Sequence, residues 1–385
     1  MKKTAWITLT LALFLAIFLG ARELINAAAT LTVPTELTDV IGEHYGESTV
    51  AKNIWDMEIY NGRLYVSTGD YEKNSGKTPL FVYDIATDTW DSSYLTNDEA
   101  LGDMRIIADT LYIAGNDSCG GWDVANYYTV TDSGVQMHAF LPNGAHCFDT
   151  CLYDGIYYFG IGTATNTDSP VIAYDGETYT AVPFFKDGAS LLSDGGRAYF
   201  RAYNFILLDS EAYVFLLSER QDGGAAEYEI YRLTDSGFEF HSNLRGKGIG
   251  FYVRDGRRLY QNIFRIVTKD GQALISSGRL FSSSDLSSFQ EITPEGRVVS
   301  DLYTYGDRVF VLSFEKTPDG GYTNTVSEYK RGKMVDLWRF NTSYSYALSL
   351  AYDGESFFIG TGGINDSSTP GVILKIEKTA KKQPF

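Results

Sequence analysis

Apolar and polar residues alternate along this chain in short runs, and each run stops at a turn signal. Ile59-Tyr60-Asn61-Gly62-Arg63-Leu64-Tyr65 shows the unit: a strand, a two-residue turn and an aromatic-rich strand back. It returns as Leu152-Tyr153-Asp154-Gly155-Ile156-Tyr157-Tyr158, and as Ala351-Tyr352-Asp353-Gly354 ahead of Phe357-Phe358. Looser copies sit at Ala108-Asp109, Asp194-Gly195, Asp255-Gly256 and Gly306-Asp307. Asn-Gly and Asp-Gly tolerate the positive φ that a two-residue hairpin demands. Taking Gly62, Asp109, Gly155, Gly195, Gly256, Asp307 and Gly354 as markers, the spacings are 47, 46, 40, 61, 51 and 47.

Repeats of that length with several strands each predict sheets stacked as blades around a ring. In the first repeat, strand A is expected at Asp56–Tyr60, B at Arg63–Thr68, C at Leu80–Asp84, and D after Trp90. The C–D hairpin from Phe81 to Trp90 recurs in looser form at Ala173–Tyr179 and Phe281–Phe289, each with an acidic turn and an aromatic opening the outer strand. The B–C connections Asn74–Pro79, Asn166–Pro170 and Asn365–Pro370 each run from Asn to Pro, a residue tolerated at a strand start. Two segments read as additional hairpins, Phe205–Leu208 with Ala212–Leu217 and Phe264–Val267 with Ala273–Ser276, giving a ring built up on one side. The last repeat lacks an outer strand. Thr30–Val40 has strand character and is expected to supply it, removing an unpaired edge.

Composition supports an all-β chain. Aromatics are 15% of the 385 residues, with 28 Tyr and 23 Phe, and outside the N-terminus no long stretch has helical periodicity. The expected fold is a single seven-bladed β-propeller of four-stranded antiparallel blades, closed by the N-terminal strand. Residues 30–378 would form the propeller and 379–385 a basic tail. Residues 1–29 read as a leader: Lys2-Lys3, an apolar run from Ala5 to Ala21, and Ala27-Ala28-Ala29 as a cleavage site. The leader is either cleaved, leaving a secreted protein, or retained as an anchor at the cell surface; the run is short for a span of ~20 residues.

Charge narrows the partners. The formal net charge is −17, and the leader's net positive charge leaves −19 for the remainder. That acidity argues against nucleic acid, and it confines any membrane contact to the N-terminal segment. A monomer is expected. The three Cys are too few for a disulfide framework. Cys147 and Cys151 on one strand would be ~13 Å apart, too far to bridge. Cys119–Cys147 and three free thiols both stay open.

On these turns, hairpins and strand exchange, residues 30–378 resemble the seven-bladed β-propeller superfamily, in the style of kelch-like and related extracellular repeat propellers. No narrower fingerprint is present. The kelch double Gly survives only at Gly362-Gly363 and, weakly, Gly120-Gly121. Ser283-Ser284-Asp285 lacks the Gly and Trp of a sialidase-type Asp-box. No family's catalytic set carries over, and a fold alone does not define a function.

Aligning the repeats by their turns places Asp56, Asp103, Asp149 and Asp301 at one position, six residues before the marker. Such carboxylates repel unless paired, protonated or bound to a cation. Three readings follow: backbone acceptors pinning neighbouring blades, a Ca²⁺ site (Asp56, Asp103, Asp149, Asp301), or the acid and base of a glycoside hydrolase or lyase (Asp56, Asp103, Asp149, with His146). His146 stands near Asp149, Trp55 and Arg105, which makes it the histidine to test. Trp55, Arg105, Asn116, Trp122, Asp123 and His146 are candidate ligand contacts for a glycan, peptide or protein. A scaffold without a small-ligand site would instead have its channel mouth plugged by aromatics such as Trp55 and Tyr346. The reading favoured is a binding module, with the carbohydrate-active enzyme as the alternative.

Overall fold

The computed structural model describes residues 30–46, 50–70, 76–119, 124–142, 144–163, 169–191, 197–220, 226–249, 253–254, 257–258, 264–343, 345–363 and 371–378. The strands fall into successive antiparallel meanders, with A innermost and D outermost. The first is Asp56–Tyr60, Arg63–Ser67, Phe81–Asp84 and Thr89–Asp91. Inner strands of the following meanders are Asp98–Ile107, Gly144–Tyr153, Arg197–Leu208, Phe264–Lys269, Val298–Tyr305 and Tyr346–Tyr352. Each inner strand touches the next in this order, and Tyr346–Tyr352 touches Asp56–Tyr60.

The last meander, Tyr346–Tyr352, Ser356–Gly362 and Ile373–Glu377, takes a fourth strand from Thr35–Glu36, antiparallel to Ile373–Glu377. Thr30–Leu31 runs parallel to Lys333–Thr342 of the preceding meander. Between these strands and the first meander lies a short helix, Val40–Tyr45, capped by Asp39, whose side chain accepts from the Gly42 N–H. Leu37 and Ile41 join the core between the last and first meanders.

The hairpin turns follow the expected chemistry. Asn61 and Gly62, Ala108 and Asp109, and Asp154 and Gly155 all have positive φ, the mirror-image turn whose twist matches the flanking strands. The fourth and fifth turns correct the sequence reading. They are Asp209-Ser210 and Asp270-Gly271, both residues of each at positive φ. The supposed additional hairpins are therefore the A–B hairpins themselves, pairing Arg197–Leu208 with Glu211–Arg220 and Phe264–Lys269 with Gln272–Ser277. Asp194-Gly195 and Asp255-Gly256 lie outside the described residues. The true additions are Phe184–Lys186 with Ala189–Ser190, and Val253–Arg254 with Arg257–Arg258.

Apolar side chains fill the gaps between neighbouring meanders. Tyr65 and Leu80 of the first meet Leu101, Leu111 and Ile113 of the second. Cys147 and Phe159 of the third meet Ala114, Ala125 and Tyr127 of the second. Aromatics opening strand D serve as filler: Trp90 lies 5.1 Å from Tyr83 and Tyr179 stacks 4.4 Å from Tyr174. Each buried aromatic removes a large apolar area from water, at ~25 cal/mol per Å². All three cysteines are free, with Cys147 and Cys151 buried and Cys119 exposed, so the Cys119–Cys147 pairing is not formed.

Candidate functional site

The corrected turns change which residues share the inner register position. The residue four before the end of the inner strand is Asp56, Asp103, Asp149, Asn204, Arg265 and Asp301 in successive meanders. Register shifts immediately precede Asp149, Asn204 and Asp301, and Asp103 lies within one. Such bulges re-aim a side chain, here out of the ladder. Asn204 and Arg265 were missed by the sequence reading because their hairpins had been assigned elsewhere. Counting back from Asp209-Ser210 and Asp270-Gly271 would have found both.

Three of these aspartates act identically. Asp56 Oδ1 accepts from the next N–H, Met57 (2.9 Å), and Oδ2 from Met104 of the following meander (2.7 Å). Asp149 does the same with Thr150 (2.8 Å) and Phe205 (2.7 Å). Asp301 does so with Leu302 (2.8 Å) and Leu350 (2.7 Å). Each carboxyl group thus staples one blade to the next through two hydrogen bonds, each worth about 0.5–1.5 kcal/mol and more when the group is ionised. Ser349 takes a related part between the last and first meanders, donating to Ile54 O at 2.8 Å.

Arginines balance the ring. Arg265 reaches Asp103 Oδ1 (2.7 Å), Asp301 Oδ1 (3.2 Å) and Asp56 Oδ1 (3.4 Å), and donates to Trp55 O (2.8 Å). Its guanidinium occupies the space among the aspartates whose pattern suggests a Ca²⁺ site. Among the described residues, no group of three His, Cys, Asp or Glu is disposed to hold a metal. Arg105 grips Asp149 through Nε (2.5 Å) and Nη2 (2.7 Å), a bidentate pair. Asp103 departs from the staple pattern. It accepts from Arg265 and from Asn204 Nδ2 (3.0 Å), both across the channel.

Burial pushes Asp56 and Asp149 up to about 6, against the pull of Arg265 and Arg105 respectively. Burial pushes Asp301 up to about 8, with Arg265 opposing and Asp56 adding to the rise. Arg265 moves upward despite its burial, because Asp103, Asp56 and Asp301 surround it.

Two residues beyond Asp56, Glu58 is half-buried and accepts at Oε1 from Tyr303 Oη (2.7 Å) and the Ile59 N–H (2.9 Å). Burial raises it to about 7; the Tyr303 hydrogen bond opposes this and Asp56 reinforces it. Glu58 lines a cavity of about 320 Å³ with Asp103, Arg105, Arg265, Tyr303 and Asn204. The lining runs from the aspartates towards the A–B turns, and Ile106, 45% exposed, stands on it.

The other candidates separate. Trp55 is buried, donates from Nε1 to Gly69 O (3.0 Å), and packs with Tyr346, Phe314 and Leu348. The two aromatics expected at a plugged mouth therefore share one cluster. His146 Nδ1 lies 3.0 Å from Asp117 Oδ1, and His146 faces Asn116 across neighbouring strands, away from the cavity lining. Trp122 and Asp123 lie outside the described residues. Near His146, buried Asp98 accepts from Tyr128 and Asn126, a cluster without a sequence signal.

Successive antiparallel meanders whose inner strands line a common channel define a β-propeller. No family model and no curated protein matches the chain. Solved structures are similar to it. The β-propeller domain of the trilobed protease from Pyrococcus furiosus, described as having an open velcro topology, is 11% identical over 86% of this chain and 96% of that one, with a TM-score of 0.46. PorZ, a surface component of the type-IX secretion system of Porphyromonas gingivalis, is 13% identical over 84% of this chain with a TM-score of 0.46, and the match spans 46% of the PorZ chain. BamB from Moraxella catarrhalis is 14% identical over 86% of this chain and 85% of that one, with a TM-score of 0.37. The likeness concerns the fold alone. Among the described residues no helix is long and apolar enough to cross a membrane.

Proposed function

We propose that this chain is an exported seven-bladed propeller, closed by its N-terminal strand, that works as a binding module for a glycan, peptide or protein. The cycle of inner-strand contacts and the pairing of Thr35–Glu36 support the blade count and the closure. The leader in residues 1–29 supports export to the exterior or the cell surface. The observation that carries the binding reading is the state of the inner carboxylates. Asp56, Asp149 and Asp301 each have both oxygens taken by backbone N–H groups. Carboxylates so engaged are poorly placed to act as nucleophile or proton donor, whereas a rigid ring around an open cavity suits recognition.

The test is to immobilise the protein, pass a mixed panel of glycans and peptides over it, and analyse eluate and flow-through by mass spectrometry. Intact captured material, lost when Val267 on the cavity wall is replaced by Trp, is the expected result. New cleavage products that disappear in Asp103→Asn would establish the enzyme instead. Neither capture nor products would leave a scaffold.

A further inference from the structure

The cavity holds an imbalance. Arg105 is matched by Asp149, and Arg265 by Asp56, Asp103 and Asp301. Glu58 is matched by no cation among the described residues. Its two donors converge on Oε1 and leave Oε2 without a hydrogen bond among the described residues. The same lining is mostly polar, and Ile106, Ile266, Val267 and Leu302 supply its smaller apolar part. At about 320 Å³ the space is at the small end of the ~300–1,000 Å³ usual for ligand pockets, enough for one slender group. A site with an acidic end and some aliphatic side chains in its lining is complementary to a cation on an aliphatic stem.

We propose that the channel cavity binds an alkylammonium group, carried by a small amine or by a lysine side chain of a partner, with its nitrogen at Glu58 Oε2 and its methylenes along Ile106, Val267 and Leu302. This rests on the binding reading above and names the ligand class for the same cavity. The net charge of −17 would also draw cations towards the protein before they reach the channel. An anionic ligand would meet the unbalanced charge of Glu58, since Arg105 and Arg265 are already engaged by Asp149 and by Asp56, Asp103 and Asp301. A neutral sugar hydroxyl would donate to Glu58 without balancing its charge.

The titratable and charged groups that line the cavity with Glu58 are Asp56 on its own strand, Asp103 and Arg105 on the second inner strand, Arg265 on the fifth and Tyr303 on the sixth, with Asp301 paired to Arg265. Glu58 titrates at about 7, so the ammonium meets the ionised form above that pH and competes with a proton below it.

The experiment is calorimetric titration of the full protein with n-butylamine, with doubly capped lysine, and with capped lysine acetylated on its side chain. The expected result is binding of the charged compounds at pH 8, about tenfold weaker at pH 6, with none for the acetylated form. Glu58→Gln keeps an acceptor for Tyr303. It should melt like the parent, bind about tenfold more weakly and lose the pH dependence. Tighter binding of capped lysine than of butylamine would point to a partner protein as the source, and the reverse to a free amine. Equal binding of the acetylated form, or unaltered binding by Glu58→Gln, would overturn the proposal. Failure of the amines while a neutral panel member binds in a Val267→Trp-sensitive way removes only the ligand class. Failure of amines and panel together removes the binding reading as well.

Discussion

Two interleaved sets of inner-ring residues, a stapling arc and a crossing arc, use one register position in opposite ways. Asp56, Asp149 and Asp301 point along the ring and hold backbone N–H groups of the neighbouring blade. Asp103, Asn204 and Arg265 point across it and hold one another. The first use is local and needs only an acceptor. The second creates charge balance, because buried carboxylates without a cation would be too costly to keep ionised. The staples therefore depend on the crossing arc, above all on Arg265.

Removing Arg265 should break this dependence most severely. Arg265→Leu strands three carboxylates and is expected to cost about 3–5 kcal/mol, read as a lower midpoint in urea unfolding. A loss under about 1 kcal/mol would mean that the crossing arc does not neutralise the staples. Asp149→Ala comes next. It orphans two backbone N–H groups and Arg105, for about 3 kcal/mol, whereas Asp103→Asn, which keeps one of the two acceptor oxygens that Asn204 and Arg265 use, should cost about 1–2 kcal/mol. The opposite order in denaturant melts would reverse the assignment of the arcs.

Acidity sharpens the comparison further. Asp56 and Asp149 at about 6, Glu58 at about 7 and Asp301 at about 8 all lie above their unfolded values near 4. Folded protein then holds protons that the unfolded chain has released, so this contribution is complete below pH 4. It is lost as pH rises through about 6 to 8. The melting temperature should fall by about 4 °C or more from pH 5 to 8, and Asp301→Asn should flatten the upper part of that slope. A melting temperature rising over the same interval would contradict the raised values. The smallest effect is expected at Ser349→Ala, about 0.5–1.5 kcal/mol, since only its hydroxyl bond to Ile54 O is lost. No change in its thermal melt would remove Ser349 from the staple set.

Much of the plan is legible in the chain. The turns at Asn61-Gly62 and Asp154-Gly155, the recurring aspartates, the filler aromatics Trp90 and Tyr179, and the strand character before Val40 all follow from local rules. The fourth and fifth repeats misled. Asp194-Gly195 is a stronger turn dipeptide than Asp209-Ser210, Asp255-Gly256 is the same dipeptide as Asp270-Gly271, and turn chemistry alone cannot tell a blade hairpin from an insertion. Strand content could have: Phe205–Leu208 and Ala212–Leu217 are more continuously apolar than their flanks, as a buried inner hairpin requires. With the hairpins displaced, Asn204 and Arg265 dropped out of the aligned column. The cavity around Glu58 dropped out with them.

By itself the sequence determined the alternation, the turns and the meanders, because side-chain periodicity and left-handed turn positions act over a few residues. Only the tertiary structure decided which charges meet. Asp103 and Arg265 are 162 residues apart, and Tyr303 and Glu58 are 245 apart. Neither pairing follows from local pattern. Each depends on how many blades lie between the partners and on the angle at which the ring turns them towards one channel, and that angle is set by packing between sheets.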